Sequence, residues 1–471
     1  MQLSTKPETS LTQETPASAK FTLTKGQQSA IDELTTWWGS SEQNIVVSGS
    51  PGTGKTFLAK FFVNSLPSAV PLFTAPTNEA VRQLELSLKG TAPTKTTYSA
   101  LGLKLSMRSF KQKIYQSKLP EDFDDYNLLI VDESSMAGQR DVKEKGSHDL
   151  LMDYVNNAGM RTIWLGDWAQ LPPVESEAGT SPVFDAGYKT LELTQVKRHA
   201  GAILEFAIDL REILTRPIRN MPEKISSEIG QRRRNAGTGL ADFTLTEFEQ
   251  IIFDQARIIT WTNQATKYCT APGVNEYNHK IRSMLFGEDK ALEQIIWPTD
   301  RILFASPLFR VKDYKALKLE TLMDAEFEMI ASVNTKSEVI SIEKETIMSV
   351  ECYKALLELE GGVNVTAYIP TKLGEETKKR MEAEFRQIAI DADGGKASGK
   401  AWEYYHTFRQ IFADIKHTYC ITSHRAQGST IPHVFVDIPN ILQNRNRLVA
   451  FKSLYVAATR AADTLDLFRV G

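Results

Sequence analysis

Eight consecutive residues constrain this chain more than any others. Gly49, Ser50, Pro51, Gly52, Thr53, Gly54, Lys55 and Thr56 fit the pattern GxxxxGK[ST]; they follow an apolar run, Asn44-Ile-Val-Val-Ser48, and open a helical stretch that continues through Leu66. Strand, glycine loop and helix in that order turn backbone N–H groups toward a phosphate at a helix N-terminus. In such a loop Lys55 places a point charge on the β and γ oxygens, and the Thr56 hydroxyl is a ligand for Mg²⁺.

The rest of the chain has to supply the sheet in which such a loop sits. Short apolar runs recur at Val70–Ala75, Asn127–Val131, Thr162–Gly166 and Thr190–Leu193, separated by turns or by helical patterns such as Val81, Leu84 and Leu88. Strands alternating with helices predict an α/β fold with a parallel sheet covered on both faces. A second set of runs, Ala256–Trp261, His417–Ile421, Val434–Ile438 and Leu465–Val470, is interrupted by a segment of different character. That insertion carries strand-like stretches at Arg301–Phe304, Glu326–Val333, Glu338–Ile342 and Gly362–Ile369, a charged helix from about Glu375 to Asp391, and a glycine-rich break from Gly394 to Gly399. The expected units are a flexible tail over 1–20, too poor in aliphatic residues to order; a first core over 21–197 with an insertion at 94–125; a second core built from 198–282 and 416–471; and an accessory domain over 283–415.

Charge and cysteine usage remove several classes. The 471 residues carry 55 Lys+Arg against 58 Asp+Glu, a net charge of −3, so any surface for a polyanion is local rather than global. No apolar run is long enough to span a membrane, and the N-terminal stretch lacks the basic and apolar regions of a secretory signal, which predicts a cytosolic protein. Cys269, Cys352 and Cys420 have no ligand or disulfide spacing and read as reduced, packed thiols.

Four further sites carry chemistry. Leu128-Leu-Ile-Val-Asp-Glu133 ends a buried strand on two adjacent carboxylates. Asp132 is suited to hold Mg²⁺ through water and Glu133 to polarise an attacking water. Because neighbouring carboxylates repel, a divalent ion is needed to keep both charged. Gly166-Asp-Trp-Ala-Gln170 puts Gln170 at the carboxyl end of another strand, where ligands of open α/β sheets bind, in position to report the γ-phosphate. Arg198 and Arg460 follow a strand and a helix, and either reads equally as a surface charge or, if two cores face each other, as the arginine that stabilises a transferred phosphoryl group.

Taken in order, these residues resemble the superfamily 1 helicases of the 5′→3′ group, most closely the phage Dda type, from about Leu23 to Val470. Leu23-Thr-Lys-Gly-Gln-Gln resembles the Q motif, Ala75-Pro-Thr-Asn motif Ia, Val131-Asp-Glu-Ser-Ser-Met the acidic motif and Gly166-Asp-Trp-Ala-Gln-Leu-Pro-Pro motif III. Leu193-Thr-Gln-Val-Lys-Arg198 resembles motif IV, Thr422-Ser-His-Arg-Ala-Gln-Gly428 motif V, and Leu454-Tyr-Val-Ala-Ala-Thr-Arg460 motif VI.

The resemblance implies two RecA-like parallel-sheet P-loop cores, a pin hairpin at 94–125 and an SH3-like β-rich accessory domain at 283–415. It implies an ATP-dependent DNA helicase using ATP and Mg²⁺, with Gln27 reading adenine, Gly428 at the nucleotide, and Arg198 and Arg460 sensing the γ-phosphate. Pro76, Thr77, Tyr98 and His424 become DNA contacts, and Phe110 or Tyr115 the aromatic of the pin. Thr96-Thr-Tyr98 departs from the usual Thr-x-His of motif Ib, so that contact is expected to be stacking. Trp402, Tyr404 and Tyr405 are assigned mainly to packing. Gln231-Arg-Arg-Arg-Asn235 belongs to no motif and reads as a solvated loop or a phosphate-contacting patch.

The implied partners are single-stranded DNA and a fork or tailed duplex, with a single-stranded-DNA-binding protein or a replisome or recombination component as a further one. The implied molecule is active as a monomer in the cytoplasm, that of the host if phage-encoded, in replication, recombination or repair. Two other readings stay open on sequence: an RNA-directed helicase of the same superfamily, since no residue identifies a 2′-OH contact, and a non-unwinding ATPase that remodels protein–DNA complexes.

Overall fold

The computed structural model describes residues 23–105, 114–116, 125–138, 147–173, 180–195, 201–234, 240, 243–311, 314, 317–318, 322, 326–391 and 395–470. Three sheets organise the chain. The first has six parallel strands in the order Thr94–Thr96, Pro71–Ala75, Leu128–Val131, Arg161–Gly166, Asn44–Gly49, Lys189–Leu193. Its central strands are apolar on both faces, with Ile45, Val46, Val47, Leu129, Ile130, Ile163, Trp164 and Leu165 fully buried. That is the pattern of a parallel sheet sandwiched by helices. The helix Lys25–Trp38 begins with a capping box, in which the Thr24 hydroxyl accepts from the Gln27 N–H and the Gln27 side chain accepts from the Thr24 N–H.

The second sheet has five parallel strands, Cys420–Thr422, Ala256–Thr260, Ile431–Asp437, Ala461–Val470 and Gly230–Arg234. The last of these is the basic stretch that the sequence left between a loop and a phosphate patch. It is an edge strand, and Arg232 turns inward to pair with Glu247 and with Asp466 at 2.9 Å. A half-buried arginine holding two carboxylates is a structural device, so this residue is spent on the fold.

The third sheet is antiparallel, in the order Asn364–Pro370, Val350–Leu359, Lys336–Ile347, Arg301–Phe304, Ile415–His417, beside a two-stranded ribbon, Leu308–Val311 with Phe327–Ala331. Here the sequence reading needs three corrections. Val350–Leu359, a long interior strand of the sheet, was missed, although Tyr353, Ala355 and Leu357 are buried at strand spacing on one face and Val350 and Cys352 on the other. The apolar run His417–Ile421 is divided: His417 ends an accessory strand and Cys420 begins a core strand. The expected glycine break is helical from Gly395, part of the helix Gly395–Ile411 that pairs with Lys372–Asp391. Once Phe408 and Ile411 pack, extending the helix backward adds a hydrogen bond per residue fixed, which outweighs the cost of about 1 kcal/mol for each glycine.

Two joints matter for the site. A short antiparallel hairpin, Leu103–Leu105 with Ile114–Gln116, leaves the first core after the helix Thr97–Ala100. Because Thr94–Thr96 is an edge strand of the core sheet, the excursion is shorter than 94–125. The accessory sheet joins the second core through Asp300, a fully buried carboxylate. It accepts from Arg282 Nε of the core helix Val274–Phe286 at 3.1 and 3.2 Å, from Tyr419 Oη at 3.0 Å and from the Trp297 N–H at 2.8 Å.

Candidate functional site

Parallel register brings the scattered motifs to one edge of the first sheet. Ser48 pairs with Gly166, Gly49 with Leu193, Val131 with Trp164 and Thr74 with Val131. The chain therefore leaves each of these strands on the same side, and the glycine loop, Asp132-Glu133, Asp167 and Glu192 are neighbours. Gly54 caps the following helix at φ 84°, a left-handed conformation that favours glycine.

Within the loop Lys55 Nζ donates to the carbonyls of Gly49 at 2.7 Å and Ser50 at 3.4 Å, closing the loop on itself. The Thr56 hydroxyl donates to Asp132 Oδ2 at 2.8 Å. Two hard oxygen donors meeting beside the loop lysine fit Mg²⁺, which keeps several waters and takes its remaining ligands from phosphates. Gln27 is buried, with its amide nitrogen donating to the Thr53 carbonyl at 3.1 Å, so it braces the loop. Glu133 sits in a left-handed conformation (φ 51°). Burial, and next the Asp132 carboxylate, hold its carboxyl above the ordinary range, against the pull of Arg460 and Lys55. A carboxyl raised in this way is a better proton acceptor, as a group orienting water needs to be.

The opposite wall comes from the second core. Arg460 is buried, its guanidinium donating to the carbonyls of Val456 at 3.1 Å and Ser429 at 3.2 Å and to the Thr459 hydroxyl at 3.1 Å, and its charge is felt at Glu133. Gly428 adjoins the same carboxylate: a methyl built on it would lie 3.9 Å from Glu133 Oε1. Gln427 Nε2 crosses the interface, donating to Ser135 Oγ and Gln170 Oε1, each at 3.0 Å. Gln170 is thus engaged by the second core. Trp168 and Ala169, on the same loop of the first core, pack into the second core's hydrophobic cluster with Phe451, Leu454 and Tyr455.

Of the expected DNA contacts, Pro76 and Thr77 follow the strand Pro71–Ala75, and Thr77 accepts from the Ala80 N–H as a helix cap at 3.2 Å. Tyr98 is exposed in the short helix Thr97–Ala100. His424 lies in the turn Ser423–Ala426 after Cys420–Thr422, and burial lowers its imidazole below the usual range. Arg198 and Phe110 lie outside the described residues, and Tyr115 is described only as part of the strand Ile114–Gln116.

One residue at this site escaped the sequence reading. Arg211, on the helix Ala202–Leu214 of the second core, donates to Ser50 Oγ at 3.3 Å, to Asp167 Oδ1 and to Glu192, over the Trp168 ring. Nothing in its local sequence marks it, because its partners come from three separate strand ends.

Residues 22–213 match the model of an AAA domain and residues 417–467 that of a UvrD-like helicase C-terminal domain. The ATP-dependent DNA helicase Dda of Enterobacteria phage T4 is 24% identical over 469 residues, covering 95% of this chain and 99% of the relative. An uncharacterized protein of Acanthamoeba polyphaga mimivirus is 23% identical over 88% of this chain and 93% of its own length. The ATP-dependent DNA helicase PIF1 of Xenopus laevis is 29% identical over 34% of this chain and 26% of its own length. Among solved structures, Bacteroides Pif1 bound to ssDNA has a TM-score of 0.49 at 15% identity, over 95% of this chain and 92% of that one. The chain is thus similar to Dda over nearly its whole length and to PIF1 over about a third of it, and it carries an AAA-domain match followed by a match to a UvrD-like helicase C-terminal domain.

Proposed function

We propose that the chain is an ATP-dependent 5′→3′ DNA helicase that moves along single-stranded DNA and splits a duplex on its hairpin. The observation that carries this reading is the meeting, in one cleft, of Lys55, Thr56, Asp132 and Glu133 from one core with Arg460 from the other. In this reading Lys55 exchanges the Gly49 and Ser50 carbonyls for phosphate oxygens. Thr56 and Asp132 would hold Mg²⁺, which when bound would neutralise phosphate charge. Glu133 takes the proton of the attacking water, Gln170 reports the γ-phosphate, and Arg460, with Arg198, supplies positive charge as the phosphoryl group transfers.

Closing and opening of the cleft then shift two grips on the strand, Pro76, Thr77 and Tyr98 on one core and His424 on the other. Both backbone contact and stacking tolerate any sequence. Gln27 reads the adenine and Gly428 lines the nucleotide. Among the described residues no helix is long and apolar enough to cross a membrane; we place the protein in the cytoplasm, acting as a monomer, with a single-stranded-DNA-binding or replisome protein as its further partner.

The test is ATP turnover with and without single-stranded DNA or RNA, alongside strand displacement on tailed duplexes. Turnover stimulated by DNA, with separation of a 5′-tailed duplex, is expected. Stimulation by RNA alone would move the assignment to an RNA-directed helicase, and stimulation without displacement to a remodelling ATPase.

A further inference from the structure

Asp167 is a carboxylate with no exposure to solvent, and such a group must be paired to remain charged. Its first oxygen accepts from Arg211 Nη1 and from the Ala169 N–H at 3.1 Å; its second accepts from the Tyr455 hydroxyl at 2.7 Å. Both side-chain partners belong to the second core, while Asp167 belongs to the first. Arg211 shows the converse: beside Tyr455 of its own core, it donates to Ser50, Asp167 and Glu192 of the first core. Burial works against its charge, but Asp167 first, then Tyr455 and Glu192, more than offset this and strengthen it. If the cores part, Asp167 keeps only the Ala169 N–H and Arg211 loses both carboxylates.

Ser50 ties this cluster to nucleotide. It is the second residue of the glycine loop, its carbonyl accepts from Lys55 Nζ and from the Thr53 hydroxyl at 2.9 Å, and its own hydroxyl is the acceptor for Arg211. A phosphate that draws Lys55 off the loop carbonyls therefore changes the group that Arg211 holds.

We propose that Arg211, Asp167 and Tyr455 form a latch between the two cores, in which Arg211 is a positioning residue that converts the state of the glycine loop into closure of the cleft and so into the grip on DNA. This rests on the helicase reading above. A two-state element biased by one ligand changes affinity for a second by a coupling factor, of order 5- to 150-fold in well-behaved cases. The latch is the place where that factor is set.

The experiment measures the affinity of the full-length protein for a labelled single-stranded oligonucleotide with and without a non-hydrolysable ATP analogue, and the affinity for a fluorescent nucleotide. Arg211→Ala is expected to bind nucleotide within about threefold of wild type while the nucleotide-dependent change in DNA affinity shrinks by about tenfold. Tyr455→Phe, which keeps the buried ring and removes only the hydroxyl, should lose part of the change, and Arg211→Lys should regain part of it. A full nucleotide-dependent change in both Arg211→Ala and Tyr455→Phe would overturn the latch. So would loss of nucleotide binding in Tyr455→Phe, since the residues would then belong to the binding site itself. If wild type shows no DNA-stimulated turnover, the helicase reading fails; if it does and the variants keep the coupling, only the latch fails.

Discussion

Lys55 has no substitute in the loop that it closes, since no other described side chain there carries a mobile cation toward the phosphates. Lys55→Ala is expected to abolish ATP turnover measured with saturating single-stranded DNA while DNA binding largely survives. Glu133→Gln keeps shape and removes the proton acceptor, so labelled ATP should still bind while single-turnover hydrolysis is lost. Arg460→Ala should lower turnover by about 10³-fold or more, the scale of an arginine finger, and a surface arginine would give almost no change. Lys452, which donates to the Trp168 carbonyl across the interface at 2.7 Å, offers a test by pH. Burial, partly countered by Asp167, brings its ammonium down from 10.5 to about 8. Between those values the unfolded chain holds a proton that the native protein has released, so this lysine contributes a stability that rises with pH. Melting curves of wild type and Lys452→Met at pH 7.5, 8.5 and 9.5 should show wild type gaining on the variant as pH increases. A constant difference would show that the lysine titrates normally.

At the scale of elements, the helix Lys372–Asp391 closely approaches the strand Val350–Leu359 at Gly374. A methyl on Gly374 would lie 1.8 Å from the Glu351 carbonyl oxygen, so Gly374→Ala must displace the helix. A loss of about 1–3 kcal/mol, read by chemical denaturation, is expected; an unchanged midpoint would mean that the helix is free to move away. The first core was legible in the sequence because each of its motifs is contiguous and ends an apolar run. The strand Val350–Leu359 was not, because its inner half, Ala355-Leu-Leu-Glu-Leu359, is rich in helix formers and only its partners on both sides make it a strand. Arg211 was illegible for a related reason: a single arginine on an amphipathic helix acquires its role from residues 19, 44 and 161 positions away. The hairpin Leu103–Leu105 and Ile114–Gln116 carries its own prediction. Replacing 103–116 by a short Gly-Ser turn should leave DNA-stimulated ATP turnover nearly intact and abolish strand separation, whereas full unwinding by that variant would remove the hairpin's role as the wedge.

For the whole molecule, the proposed helicase reading implies a direction. A duplex with a 5′ single-stranded tail should be separated and one with a 3′ tail left intact, and preferential opening of the 3′-tailed substrate would refute the assigned polarity. The joint at Asp300 bears on how such motion is delivered. Arg282 of the second core reaches into the accessory sheet, Tyr419 returns to the same carboxylate, and Thr418 and Tyr419 are the only residues between an accessory strand and a core strand. A buried ion pair at its root and only two residues in one of its two connections tie the accessory sheet closely to the second core. If it rides on that core as a blade rides on an oar's shaft, a small turn at the nucleotide becomes, at the blade, a sweep proportional to the distance from the pivot.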